Sequence, residues 1–599
     1  MPRKVQFTPR RYLRKFWQFG SFDISPDRRL LAYEANKGAQ WTTYVRDMRS
    51  GRERVLLRSK QAVLNPEFRP DGKWIAVQSD FEGDENYNIY IVPSSGGSAR
   101  KLTDTPADSS SPRWSPDGTK LAFLSNRDRD RDNVFLLDVA RRRVRQLTHE
   151  DDIVGEIAWH PDGKRIAYSV GIGKNDRIRS VDLAGNEETL VAFPDAESHI
   201  GGDLGKPSPF SPDGASMAFE SNRHDHLDLG VIDLQTREVR WLVETPHDKT
   251  MPIWSPDGRQ IGFLENRDGL VRLMAVAADG TGLRGVSPAD GVASRPRWLP
   301  DSSGFVYLHS TPLRPDRLLV QKGSRPRTLV ESLRAPIPRN ELAKPSLVRI
   351  ASFDGRTIPA WLYVPPKGRS RRAALVKPHG GPESQSLGEW DERSQFLVAQ
   401  GFTVLLPNYR GGTGYGREWR RSSDRDLGGG DMKDIIACGR WLVPNGYCPP
   451  DRLGIIGISY GGYAVAHCLE QAPDAWAVGV SIVGFFNWFT ATTTERGYLQ
   501  QYDRTKMGSP DTDADLFRKL SPIFYLDRIR APVLFTGGAH DPRCPVTEAR
   551  QIVDAMRKMG KTVDYLEFAD EGHWPRKISN QIRLYERAID WLTRFLPDT

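Results

Sequence analysis

The sequence predicts two domains in series, a seven-bladed β-propeller followed by an α/β-hydrolase domain, and two observations carry that prediction. The first is a short phrase, an aromatic or apolar residue, one variable position and Pro-Asp-(Gly). It recurs at Pro26, Pro70, Pro116, Pro161, Pro212, Pro256 and Pro300, at intervals of 44, 46, 45, 51, 44 and 44 residues. The second is the chain order Ser459, Asp541, His573, each residue just past an apolar run that reads as a strand. At 599 residues the chain is too long for one core. It divides into a propeller over 1–335 and a catalytic domain over 336–599, parted at the proline-rich Ala335-Pro336-Ile337-Pro338.

In the first half, Ser-Pro-Asp-Gly is type I turn chemistry: proline presets φ at the second position and glycine closes the fourth. A strand follows each turn, as in Lys120-Leu121-Ala122-Phe123-Leu124 or Arg165-Ile166-Ala167-Tyr168-Ser169. A further strand pair comes next, as in Asn133-Val134-Phe135-Leu136-Leu137-Asp138 and Val144-Arg145-Gln146-Leu147-Thr148. Four short strands per period make a blade that cannot bury its faces alone and must stack in a ring. The phrase differs from the WD dipeptide and from kelch glycine pairs, which disfavours a generic partner-binding propeller.

In the second half, Gly457-Ile458-Ser459-Tyr460-Gly461-Gly462 separates the apolar Leu453-Gly454-Ile455-Ile456 from a helix-compatible stretch starting at Tyr463. Ser459 therefore sits on a strand-to-helix turn, sharp because the flanking glycines lack Cβ. Asp541 follows the strand Val533-Leu534-Phe535-Thr536-Gly537-Gly538, and His573 follows Val563-Asp564-Tyr565-Leu566-Glu567-Phe568. His573 is expected to take the Ser459 proton and return it to the leaving group, with Asp541 fixing the imidazole tautomer. Asp564, Asp570 and Asp527 are weaker candidates for the acid, Asp564 because it lies inside the strand. Donors to the oxyanion are expected from the Tyr460 N–H and from Gly380 or Gly381, in a His379-Gly380-Gly381-Pro382 loop after Ala373-Ala374-Leu375-Val376. His379 reads as a loop anchor. Arg410-Gly411-Gly412-Thr413-Gly414-Tyr415-Gly416 lacks the Lys-Ser/Thr of a phosphate loop and reads as a tight connection near the site.

The net charge of +9 is mild for this length and forms no clustered patch, which argues against a nucleic-acid partner. The basic stretch Arg10-Arg11-Tyr12-Leu13-Arg14-Lys15-Phe16 reads as a solvated arm. No export signal is legible, and the longest apolar stretch, around 477–486, is too short to span a bilayer. Cys438, Cys448, Cys468 and Cys544 match no zinc spacing and read as free thiols of a reducing cytoplasm. Neither a metal nor an organic cofactor is called for.

Taken together, the Pro-Asp-Gly propeller, Gly-Ile-Ser-Tyr-Gly-Gly-Tyr, His-Asp-Pro-Arg-Cys-Pro and Glu-Gly-His resemble the prolyl oligopeptidase family of serine peptidases. The His-Gly-Gly-Pro loop looks most like its acylaminoacyl-peptidase branch. The resemblance covers essentially the whole chain. It implies nucleophile Ser459, acid Asp541 and base His573, a propeller that admits only short peptides, and a homo-oligomer. Cys544 stands where the family more often has an apolar residue such as valine.

Which peptide terminus is read stays open at this level. Dipeptidyl peptidases of the family hold a free amine with a glutamate pair. Glu187-Glu188 is the adjacent pair here, in the context of an outer hairpin, while Asp80, Glu82, Asp84 and Glu85 read as an exposed solvated turn. Arg410, Arg496 and Arg543 could clamp a C-terminal carboxylate, which would make a carboxypeptidase. Phe485, Phe486, Trp488, Phe489, Tyr498 and Tyr502 follow the strand Val478-Gly479-Val480-Ser481-Ile482 and are expected to form an apolar pocket for the residue before the cut. A carboxylesterase would share the triad without needing the filter, and a propeller scaffold would need no triad.

Overall fold

The structure, a computed structural model, describes residues 8–38, 40–128, 131–201 and 208–598. The first half is a β-propeller. Among the described residues it holds five four-stranded sheets and one eight-stranded sheet, the latter two antiparallel groups joined by a single parallel pair, Val271 with Val292. The first sheet packs on the last through Phe22, Leu31 and Tyr33 against Val306, Leu308 and Leu318. The start of the first domain at residue 1 lies outside the described residues.

The recurring phrase has two jobs, one in the turn and one at the seam between sheets. In Ser115-Pro116-Asp117-Gly118 the Asp117 carboxylate accepts from Ser115 Oγ and the Thr119 N–H, and Ser115 Oγ in turn accepts from the Lys120 N–H. Ser211 with Asp213 and Ser255 with Asp257 repeat the pattern. The aromatic two residues ahead of proline points at the neighbouring sheet. Trp114 Nε1 donates to the Glu67 carbonyl at 3.2 Å, Trp159 Nε1 to Arg113 at 3.0 Å and Trp298 Nε1 to Ile253 at 3.0 Å. Each acceptor directly precedes the aromatic of the previous repeat. An indole can do this while burying its ring, because its polar edge is one N–H.

The innermost strands are bulged. Asn65, Ser111, Met251 and Arg295 take positive φ, between 52° and 56°, and each precedes a proline, Pro66, Pro112, Pro252 or Pro296. The ladder register shifts at these places. A bulge re-aims side chains, and here Asn65, Ser111 and Arg295 line a central cavity of about 530 Å³ that also touches Arg543 and Arg576 of the catalytic domain.

The second half is one eight-stranded sheet with strands β1 (Ser346–Ala351), β2 (Thr357–Tyr363), β3 (Ala374–Val376), β4 (Thr403–Pro407), β5 (Leu453–Ile458), β6 (Val478–Ile482), β7 (Val533–Gly538) and β8 (Val563–Phe568). Their order is β1-β2-β4-β3-β5-β6-β7-β8, parallel from β4 onward. β4, β6 and β7 are buried at every residue. Helices cover both faces, which is why these strands read as continuous apolar runs.

One expectation fails here. The stretch Arg10 to Phe16 is no solvated arm: Tyr12, Leu13 and Phe16 are buried against Trp390, Phe396, Ile582 and Tyr585 of the catalytic domain. Its arginines dominate the composition, but its aromatics decide where it lies. Among the described residues no helix is long and apolar enough to cross a membrane.

Candidate active site

Ser459 joins β5 to the helix Tyr460–Gln471 with φ 59° and ψ −124°, a conformation that disfavours an L-residue and holds only because its surroundings leave no alternative. The glycines explain why it survives. A Cβ on Gly457 would collide with the Gly461 carbonyl, and one on Gly461 would come within 2.6 Å of the Pro378 carbonyl. Tyr460 opens the helix, so its N–H has no carbonyl one turn back to bond. Gly380 abuts the serine: a Cβ there would lie 3.3 Å from Ser459 Cβ and 3.0 Å from the Ile458 carbonyl. Gly381 faces away, toward Glu383 and Ser384. His379 stacks on Tyr409 with ring centroids 4.2 Å apart and directs Nδ1 to the Gly380 carbonyl at 2.8 Å; burial pushes its imidazole down to about 4 and keeps it neutral.

His573, past the end of β8, sets Nδ1 2.9 and 3.0 Å from the two Asp541 oxygens. Asp541, past β7, is 6% exposed and accepts the N–H groups of Arg543 and Cys544 at 2.9 Å each. Two of the three competing acids are occupied elsewhere: Asp570 by Lys577 and Asn580, and Asp564 by Arg587. The Cys544 thiol is buried, and that burial pushes it up.

The aromatic group divides. Phe485 adjoins Tyr460, centroids 6.2 Å apart, and stacks on Tyr463. Phe486 and Trp488 do not face the site. Phe486 is 1% and Trp488 2% exposed, packed against Phe535 and Tyr463 in the core. Phe489 packs on Phe517 and Phe524. Tyr498 neighbours Glu85 and Arg543, whereas Tyr502 neighbours Glu383 and Arg420. An alternating aromatic run after a parallel strand serves core and pocket alike, so composition alone did not separate them.

The arginines are likewise engaged within the protein. Arg410 is 5% exposed and bonds both oxygens of Asp434, at 2.8 and 2.7 Å, and of Asp354, at 2.9 and 3.1 Å. Arg496 bonds the Glu85 carbonyl at 2.8 Å and Asn86 at 2.9 Å, and Arg543 Nε reaches both Glu85 oxygens at 3.1 Å.

Those pairs expose what sequence reasoning missed. The acidic turn of the second sheet is not solvated; Asp80 is 5% and Glu85 8% exposed. It clasps the two loops that carry Asp541 and His573. Asp80 takes Arg576 at 2.8 Å, Glu82 lies 3.2 Å from His540, and Gly83 packs on Gly572 so closely that neither tolerates a Cβ. Burial raises the Glu85 carboxyl, but Arg543, His573 and Arg496 outweigh it and hold it below the ordinary carboxylate range. The signal available in sequence was four acids around a glycine, matched to Arg543 and Arg576 beside the triad positions. Glu187 and Glu188 lie on the fourth strand of their sheet and pair with Arg179, Arg165 and Arg237. Two metal-capable groups in the propeller, Asp176 with Glu197 and His199 and His224 with Asp228 and Glu244, each contain an acid already paired to a base, Arg420 or Lys249.

Known proteins share this fold. The model of the prolyl oligopeptidase family matches residues 389–599, and a TolB β-propeller model matches 21–198 and 195–316. Dipeptidyl aminopeptidase BIII of Pseudoxanthomonas mexicana is 26% identical over 84% of this chain and 76% of its own. Acylamino-acid-releasing enzyme 2 of Oryza sativa is 29% identical over 37% of this chain and 30% of its own. A Mycobacterium tuberculosis puromycin-hydrolyzing peptidase superposes with a TM-score of 0.87 at 18% identity, covering 99% and 97% of the two chains. The Pyrococcus horikoshii acylaminoacyl peptidase superposes at 0.74 and 19% identity over 99% and 98%. The fold and site thus define a propeller-bearing serine hydrolase. Residues 389–599 match the catalytic domain of the prolyl oligopeptidase family, and the protein is a serine peptidase.

Proposed function

We propose that this peptidase cleaves short peptides through an acyl-enzyme on Ser459, with His573 as base, Asp541 as its orienting acid and the N–H groups of Tyr460 and the Gly380 loop as oxyanion donors. Its substrates carry a blocked amino end, as in an acylaminoacyl peptidase. The observation that carries this reading is the Glu85 pairing. A carboxylate beside His573 that could hold a substrate ammonium is already neutralised by Arg543 and Arg496. A free amine therefore gains little there, whereas an uncharged acyl group gives up no ion pair. The carboxypeptidase reading loses its support for the same reason, since all three arginines are engaged. We count seven blades by taking the eight-stranded sheet as two, and place the domain division between Glu331, where the last propeller strand ends, and Ser346, where β1 begins.

The test is mass-spectrometric mapping of the bond cut in one short peptide with its amino end free or acetylated and its carboxyl end free or amidated. The expected product is an acetylated amino acid, indifferent to amidation and absent with Ser459→Ala. Single residues released from a free carboxyl end, and lost on amidation, would overturn the assignment.

A further inference from the structure

The glycine-rich stretch after β4 runs between the oxyanion loop and the propeller. The Thr413 N–H donates to the Ser384 carbonyl at 2.9 Å, and a Cβ on Gly412 would come within 2.7 Å of that same oxygen. A Cβ on Gly414 would run into the Gln385 amide, and one on Gly416 into the carboxylate of Asp225, which lies between the propeller strands Ser216–His224 and His226–Asp233. Glycine lets these segments lie this close.

The chain then enters the short helix Arg417–Arg421, and that helix is docked on the propeller. The N–H groups of Arg417 and Glu418 donate to the Asp225 carbonyl at 2.9 Å and to its carboxylate at 2.8 Å. Arg421 pairs with Asp195 at 2.6 Å and donates to the Gly173 carbonyl at 3.2 Å. Arg420 reaches in two directions. One arm of its guanidinium pairs with Glu197, which directly precedes the propeller strand Ser198–His199. The other lies 2.6 Å from Glu383, three residues beyond Gly380 in the oxyanion loop.

Both acids are enclosed. Glu197 is 1% exposed, and the other guanidinium near it, that of Arg421, stands 4.0 Å away. Glu383 takes one further base, Lys506 at 2.5 Å, which is itself buried and shared with Asp424 at 2.7 Å. A planar guanidinium serves two carboxylates at once through separate N–H groups, a fork that the ammonium of lysine lacks. Charges buried in this way hold one another in place, because separating them leaves a charge without water or partner. Glu383 is therefore fixed relative to Glu197, and with it the loop that sets Gly380 against Ser459.

We propose that Arg420 is a positioning residue for the oxyanion loop: by bridging Glu197 of the propeller and Glu383 of the loop it keeps Gly380 at the nucleophile, so that oxyanion stabilisation depends on the docked propeller. The proposal rests on the reading of the Gly380 loop as an oxyanion donor.

The experiment measures kcat/KM for N-acetylphenylalanine methyl ester and for its thionoester, in which sulfur replaces the carbonyl oxygen. Sulfur is a weak hydrogen-bond acceptor, so the oxygen-to-sulfur rate ratio reports donation to the oxyanion. A disturbed triad or a loss of folded enzyme lowers both rates together and leaves the ratio unchanged. Arg420→Met is expected to lower the ester rate, and with it the ratio, by about ten-fold or more. Glu197→Gln, which removes the charge on the propeller side of the bridge, should lower the ratio in the same direction and add little to Arg420→Met when the two are combined. Should Arg420→Met repack, Glu197→Gln alone still decides, since it keeps the shape of the side chain. A ratio unchanged in both variants, while Gly380→Ala lowers it, overturns the proposal and leaves the donor assignment standing. A ratio unchanged in Gly380→Ala as well strikes at the donor assignment, and the proposal falls with it.

Discussion

At the scale of single residues, the site depends on atoms that are absent. Gly380, Gly457 and Gly461 let three backbone segments meet at Ser459 with no room for a methyl group. Gly380→Ala would place Cβ 3.0 Å from the Ile458 carbonyl, so the loop must withdraw from the nucleophile. If that loop donates to the oxyanion, kcat should fall about 10²–10³-fold with the fold intact, checked by burst kinetics beside a circular-dichroism melt. The candidate triad was legible in sequence because a strand end, a glycine pair and a chain order mark its positions, and the structure pairs two of them, Asp541 and His573. The clasp residues were not. Asp80 and Glu85 look like any solvated acidic turn until the partner loop, more than four hundred residues away in sequence, is brought against them.

Among the elements, the propeller's repeat was legible for a physical reason: each unit must solve the same two problems, turning the chain and joining its neighbour. The Asp of Pro-Asp-Gly solves the first and the aromatic solves the second. Trp159→Phe keeps the ring but removes the N–H that reaches the Arg113 carbonyl. The loss should cost about 1–3 kcal/mol and lower the urea midpoint of the propeller without changing its m-value. The bulges on the inner strands were not legible in the sequence: a proline marks each one, but the left-handed residue before it is a property of the folded backbone. The aromatic run after β6 was ambiguous for a different reason, since core packing and pocket lining draw on the same residues.

On the scale of the whole molecule, the two domains share one active site. Asn36, Asp80 and Tyr87 of the propeller hold Arg576, three residues beyond His573, and Glu82 and Glu85 hold His540 and Arg543 on either side of Asp541. The central cavity is lined in part by Arg543 and Arg576, the same residues that join the domains. The propeller is thereby a scaffold for the loops of Asp541 and His573. All of this presumes that the strained serine is the nucleophile, and the most direct measurement is to trap it. An acetylated amino-acid p-nitrophenyl ester, quenched in acid within the first turnover and digested, should leave its acyl group on the peptide containing Ser459 and nowhere else, with none on Ser459→Ala. Full turnover by the alanine variant, or acyl label on another residue, would contradict the account.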